Sequence, residues 1–360
     1  MTAAHSSDDP EDDCLLDTDG DLLDDYREVI DAGVHLAVLP IARVHLDWFA
    51  LTYPGAVTFY PPGSADLEAL NITPNNPQST SLAETSAAAS GVEADTLSKH
   101  VLAVFPYRFE WDRVIRNSHA SHLEFIRNLS EHVDRSCLNL VRYRQCPIDK
   151  VDCLPARAGQ IESNHMMAGA VLYNHALRQA RIFGGDAFTH YFTRGLGLPL
   201  ESIAHSDFPR DGEVGFIVNH GLSLYSMMLE ASSQTSKFVQ CLALLEFLAF
   251  PHDYEKFEKV KKVIARYIAT NASEYDRLLD RFFELTGKKD ASGRQVGYRT
   301  CVIHMGKRIE DLVPDDLART ALFLELCGYI KGVMDHMLAH SEKTFDEYKD
   351  IRDGFRPFEL

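Results

Sequence analysis

From residue 236 to near its end, the chain keeps a helical period almost without a break. Over 238–250 the apolar positions Phe238, Val239, Leu242, Leu244, Leu245, Phe247 and Leu248 crowd one segment, and Pro251 stops it. Amphipathic stretches follow at 254–270 and 273–285, then a polar, glycine-containing break at 287–297. A short helix is expected over 298–312, a long apolar one over 315–340, and a last one over 345–353. Four or five helices joined by short turns bury their apolar stripes against one another. Residues 233–360 are therefore expected to form an all-α helical bundle.

The front of the chain has another texture. Residues 34–42, 47–52, 56–60 and 101–105 are short runs rich in β-branched and aromatic residues, and Pro and Gly fall between them. They read as strands of a small sheet, with Trp48, Phe49, Phe59 and Tyr60 in its core. Helical spacing returns at Leu123, Phe125, Ile126, Leu129, Val133, Leu138 and Val141, ahead of Pro147. A second helix is expected over 164–183, closed by Gly184 and Gly185, and a short one near 81–90. Residues 186–221 read as an irregular connector, with a helix starting at Leu222. The fold class is α+β: a mixed N-terminal domain over 34–232 with a small β-sheet plus helices, followed by the all-α bundle.

Charge separates these parts further. The net charge is −17, yet residues 1–35 alone hold twelve acids against Arg27, while 236–360 are close to neutral. Residues 1–33 read as an acidic, largely disordered tail, with a short helix through Tyr26 and Ile30. A near-neutral C-terminal domain leaves nucleic acid open as a partner, which a uniformly acidic chain would not. The seven cysteines are irregularly spaced and form no C-x-x-C, which points to reduced thiols. No apolar run approaches the roughly 18 residues of a membrane span, and the first 30 residues lack a basic-then-apolar leader. A cytoplasmic protein without membrane contact is expected.

Within the bundle, one stretch carries chemistry. Arg299 and His304 lie five positions apart, and Lys307 and Arg308 follow at once. Arg offers a planar fork that suits a phosphate, and His is the side chain able to act as acid and base near neutrality. Tyr298 could stack on a base or brace Arg299. The plain alternative is that Arg299 pairs with a carboxylate such as Glu310 and that His304 is a surface residue. A second match of the same spacing, Arg127 and His132, sits in an amphipathic helix where Glu131 and Asp134 offer ordinary partners. His119 and His122, with Glu124 and His132 near them, could hold a metal only with ligands from elsewhere. Asn219-His220-Gly221 reads as a turn.

The C-terminal third, from about Ser236, resembles a HEPN domain, and most the Apea-like branch. The Leu-Glu pair in Ala243-Leu244-Leu245-Glu246-Phe247-Leu248 and the later Tyr298-Arg299, Cys301-Val302-Ile303-His304 and Gly306 carry the resemblance. The chain departs from the family pattern at Thr300 and at Met305, which stands between His304 and Gly306. The resemblance implies a helical, often dimeric domain. It also implies a metal-independent endoribonuclease, without cofactor, in which Arg299 and His304 from two protomers share one site. Tyr298, Lys307 and Arg308 would then touch the RNA. It further implies a prokaryotic defence or toxin-like effector, a homodimer through the bundle, and a regulatory partner or trigger at the N-terminal domain. The other reading is a non-catalytic helical sensor or interaction module.

Overall fold

The computed structural model describes residues 15–16, 20–74, 78, 85, 87–88, 91–116, 119–150, 153–161, 168–185 and 196–354. They form two compact units, residues 1–146 with 152–205, and residues 147–151 with 206–360. The fold is α+β, with the sheet in the first unit and helices through the second.

Among the described residues, nine strands belong to the first unit: β1 (Leu15–Leu16), β2 (His35–Ile41), β3 (Val44–His45), β4 (Ala50–Tyr53), β5 (Val57–Tyr60), β6 (Val101–Tyr107), β7 (Ala168–Asn174), β8 (Gln179–Gly185) and β9 (Leu198–Pro199). Seven of them form one sheet in the order β1-β4-β5-β6-β2-β7-β8. Its pairings are antiparallel, and β2 lies between β6 and β7, buried along its whole length, with His35 opposite Tyr107. The short β3 and β9 pair separately and in parallel.

Residues 20–33 belong to this fold and are not tail. Helix α1 (Leu22–Asp25) begins where the Asp21 carboxylate accepts the Leu23 and Asp24 amides, and α2 (Arg27–Asp31) follows it directly. Leu22 and Tyr26 enter a core with Leu36, Val38, Tyr60 and Val104, and the Tyr26 hydroxyl donates to the Val104 carbonyl at 2.8 Å. Burying a leucine of this kind contributes roughly 1.5–3 kcal/mol. Residues 1–14 and 17–19 lie outside the described residues, as does most of the helix expected near 81–90.

The helix expected over 164–183 is instead the hairpin β7–β8 for its described part, residues 168–183. All seven residues of β7 are buried, so the strand shows none of the alternation that marks a half-exposed one. Small residues are required there, because a Cβ on Gly169 would lie 2.9 Å from Val92 Cγ1. The turn is closed by the Asn174 side chain, which accepts the Ala176 and Leu177 amides. Trp48 and Phe49 are also corrected. They sit before β4 and are 85% and 56% exposed, whereas Phe59 and Tyr60 are fully buried.

The remaining helices of this unit are α3 (Ala94–Leu97), α4 (Trp111–Arg116), α5 (His119–Val133) and α6 (Asn139–Gln145). A π-turn, Asp134–Leu138, joins the last two, so the long helix read from the spacing is present with one widened turn. Arg142 is fully buried there and pairs with Asp134 at 2.8 Å.

The second unit begins at residue 206, not at 233. Helix α7 (Glu213–Leu229) starts nine residues earlier than expected and buries Val218, Leu222, Tyr225 and Met228. Its neighbours are α8 (Gln234–Ala249) and α13 (Asp316–Leu338), which is why it belongs to the bundle. Between them run α9 (Phe257–Ile268), α10 (Ala272–Thr286), α11 (Tyr298–Met305) and α12 (Ile309–Leu312), and α14 (Phe345–Gly354) closes the unit. Ser233, Asn271 and Asp315 cap α8, α10 and α13 with side-chain acceptors. Phe238, Leu245, Phe282, Leu326 and Ile330 fill the centre.

Candidate active site on the helical unit

The helix expected over 298–312 is two helices, because Gly306 takes a left-handed conformation (φ 66°) and ends α11. The Gly306 and Lys307 amides both return to the Cys301 carbonyl, a closure that glycine allows at little steric cost. At its other end, Gly297 lets α11 approach the end of α10. A Cβ there would stand 2.7 Å from the Gly287 nitrogen. Thr300 then donates its hydroxyl to the Thr286 carbonyl at 2.7 Å. Cys301 and Val302 are buried, so α11 is fixed against the bundle while its C-terminal end faces solvent.

Arg299 points back to α8. Its guanidinium donates to the Glu246 carboxylate at 3.0 Å and lies over the Phe257 ring, 5.4 Å from the ring centroid. The carboxylate expected for it, Glu310, instead accepts from Thr235 at 2.9 Å and faces Arg308 at 3.6 Å. Arg299 keeps 23% of its side-chain surface exposed, and its buried Nε has no hydrogen-bond partner. A charge-assisted bond plus an aromatic face holds one rotamer of a side chain that otherwise carries about 2 kcal/mol of rotamer entropy. Partial exposure leaves its guanidinium donor capacity for an anion.

His304 is exposed at the last turn of α11, and Met305, Gly306, Lys307 and Arg308 beside it are exposed too. Tyr298 is half-buried at the first turn. Five helical positions separate Arg299 from His304, which is about 7.5 Å along the axis and about 140° around it. The two heads are thus held on one short helix but directed to different sides of it. The structure brings Arg299 together with Glu246 and Phe257, while His304 is exposed in one run with Lys307 and Arg308. By helix geometry, Arg299 and His304 of one chain leave α11 about 140° apart and do not converge on one point.

Two neighbours of Arg299 went unread as contacts. Glu246 is the one carboxylate in the apolar core segment of α8, a signal that it needs a cation. Phe257 carried no such signal.

Among the described residues, no group of three His, Cys, Asp or Glu side chains is placed to hold a metal ion. His132 is wrapped by Phe105 and Tyr107, with ring centroids 5.0 and 5.6 Å away. Burial pushes its pKa down, and Arg135 adds to that. His220 lies within α7, not in a turn, and meets Phe247 edge-on. No described helix is long and apolar enough to cross a membrane. No protein-family model matches this chain, and neither a curated protein nor a solved structure is found to be similar to it.

Proposed function

We propose that the helical unit is a HEPN-type, metal-independent endoribonuclease that cleaves RNA through attack of the substrate's own 2′-hydroxyl, in the setting of a prokaryotic defence or toxin-like effector. The observation that supports this best is the contact between Glu246 and Arg299, two residues 53 positions apart that both carry the family resemblance. An arginine kept partly exposed in one rotamer is the state in which a guanidinium stabilises a phosphorane-like charge with least reorganisation. His304 would move the proton of the 2′-hydroxyl or of the leaving oxygen, worth roughly two to four orders of magnitude. Lys307 and Arg308 would hold flanking phosphates, and Tyr298 would brace Arg299.

Because the two heads diverge around α11, a second copy of the chain is needed to set one protomer's His304 near the other's Arg299. Ile303 and Met305, which flank His304 and are 43% and 46% exposed, give that face an apolar surface for the partner copy to cover.

A second reading, the non-catalytic interaction module, is favoured by one observation. Glu246 already neutralises Arg299. Incubating the full chain with mixed RNA and a chelator separates the two. Cleavage that falls by about 10²-fold or more in Arg299→Ala and His304→Ala, each folded, supports the nuclease. No cleavage by the folded chain favours the module, and cleavage unchanged in both variants overturns the roles of Arg299 and His304.

A further inference from the structure

At the end of α8, with Glu246 in its lining, the helical unit has an open cavity of about 370 Å³. Its floor is Glu246, Phe247 and Phe250 at the end of α8, and its rim is the loop of Asp253, Tyr254 and Glu255. That volume lies in the range that holds a small ligand. The charges are one-sided. Three carboxylates line the cavity, and no lysine or arginine does. Glu255 is matched by Lys259 at 2.6 Å and His252 by Glu213 at 3.1 Å, whereas Asp253 makes no ion pair among the described residues. Tyr254 is 89% exposed, a large aromatic face beside these acids.

The unit's own chemistry indicates what fits. Glu246 already binds a guanidinium from one side, with Phe257 under the cation. The cavity lining offers the same combination again, carboxylates together with Phe247, Phe250 and Tyr254. We propose that this cavity binds a guanidinium-bearing cation, free or as an exposed arginine side chain, and that Glu246 is shared between this ligand and Arg299. Carboxylates supply the charge complement and the aromatic rings supply the cation–π face. Since one Glu246 oxygen holds Arg299, a cation drawing on that carboxylate loosens the tether on Arg299. Occupancy therefore sets how firmly Arg299 is positioned. Only this regulatory consequence rests on the ribonuclease reading.

The test is calorimetric titration of the full chain at low salt, without RNA, using agmatine for a free ligand and a capped Gly-Arg-Gly peptide for a side chain. A urea analogue of each keeps the shape and loses the charge. One or both guanidinium probes are expected to bind, and whichever binds identifies the source. The double variant Asp253→Asn, Tyr254→Ala, with both positions exposed and clear of Arg299, is expected to weaken binding about tenfold. The urea analogue is expected to bind at least tenfold more weakly. Absence of binding, or binding that survives both changes, overturns the proposal. Saturating agmatine is further expected to slow RNA cleavage severalfold, and an unchanged rate overturns the coupling to Arg299. If the cation binds as described but no RNA is cut, the site stands and the ribonuclease reading falls. If RNA is cut but nothing binds, the reverse holds.

Discussion

Glu246 is the residue on which the most depends. A partly buried carboxylate in the apolar segment that ends α8 is costly to leave unpaired, and Arg299 offsets that cost. The substitution Glu246→Gln keeps the shape and one acceptor oxygen but removes the charge. RNA cleavage is expected to fall roughly tenfold, equivalent to about 1.4 kcal/mol, while the fold persists. A rate that rises instead identifies Glu246 as a brake. A second residue-scale expectation concerns His35, whose ring lies 4.7 Å from that of His175 and 5.9 Å from that of Trp111. Burial, and then His175, depress its pKa, so the folded state holds the neutral form. The stability this contributes is present above the ordinary value of about 6.5 and is lost as pH falls through the depressed one. In a Trp48→Phe variant, Trp111 is the sole tryptophan and its emission reports this cluster. Emission is expected to change on acidification below about pH 6.5 and to change less when His35 is replaced by Gln.

Among the elements, α11 is short and depends on its ends. The left-handed Gly306 meets no atom within 4 Å of an added Cβ, so replacing it tests backbone preference alone. Gly306→Ala is expected to cost about 1 kcal/mol, read as a lower unfolding midpoint in denaturant, and Gly306→Asn less than that. Elements also show where sequence patterns reach their limit. The bundle was legible because α9 and α10 each keep a polar and an apolar face, and β2, β5 and β6 were legible from β-branched and aromatic runs between Pro and Gly. The hairpin β7–β8 was not, because β7 is buried on both faces, shows no alternation, and its Ala and Leu residues suit a helix equally well. The start of α7 was hidden by Gly212, Gly215 and His220, which look like connector residues until their packing is known. Arg299 and His304 could be picked out as a pair, but the partner of Arg299 could not, since local spacing says nothing about a contact 53 positions away.

Two units of different architecture divide the labour in the proposed function. The sheet unit, with Trp48 exposed beside its strands, is where a trigger or regulatory partner would be sensed. The helical unit would carry the chemistry and the contact with a second copy. The central claim is that cleavage runs through the ribose 2′-hydroxyl with His304 moving the proton and Arg299 holding the phosphate. It is tested most directly by end-group analysis of RNA cut by the full chain in the presence of chelator, with a 2′-deoxy oligonucleotide of the same sequence alongside. The expected result is a 2′,3′-cyclic phosphate on one product, a 5′-hydroxyl on the other, and an intact deoxy strand. Products with 5′-phosphate ends, or a deoxy strand cut as fast as the RNA, would contradict it.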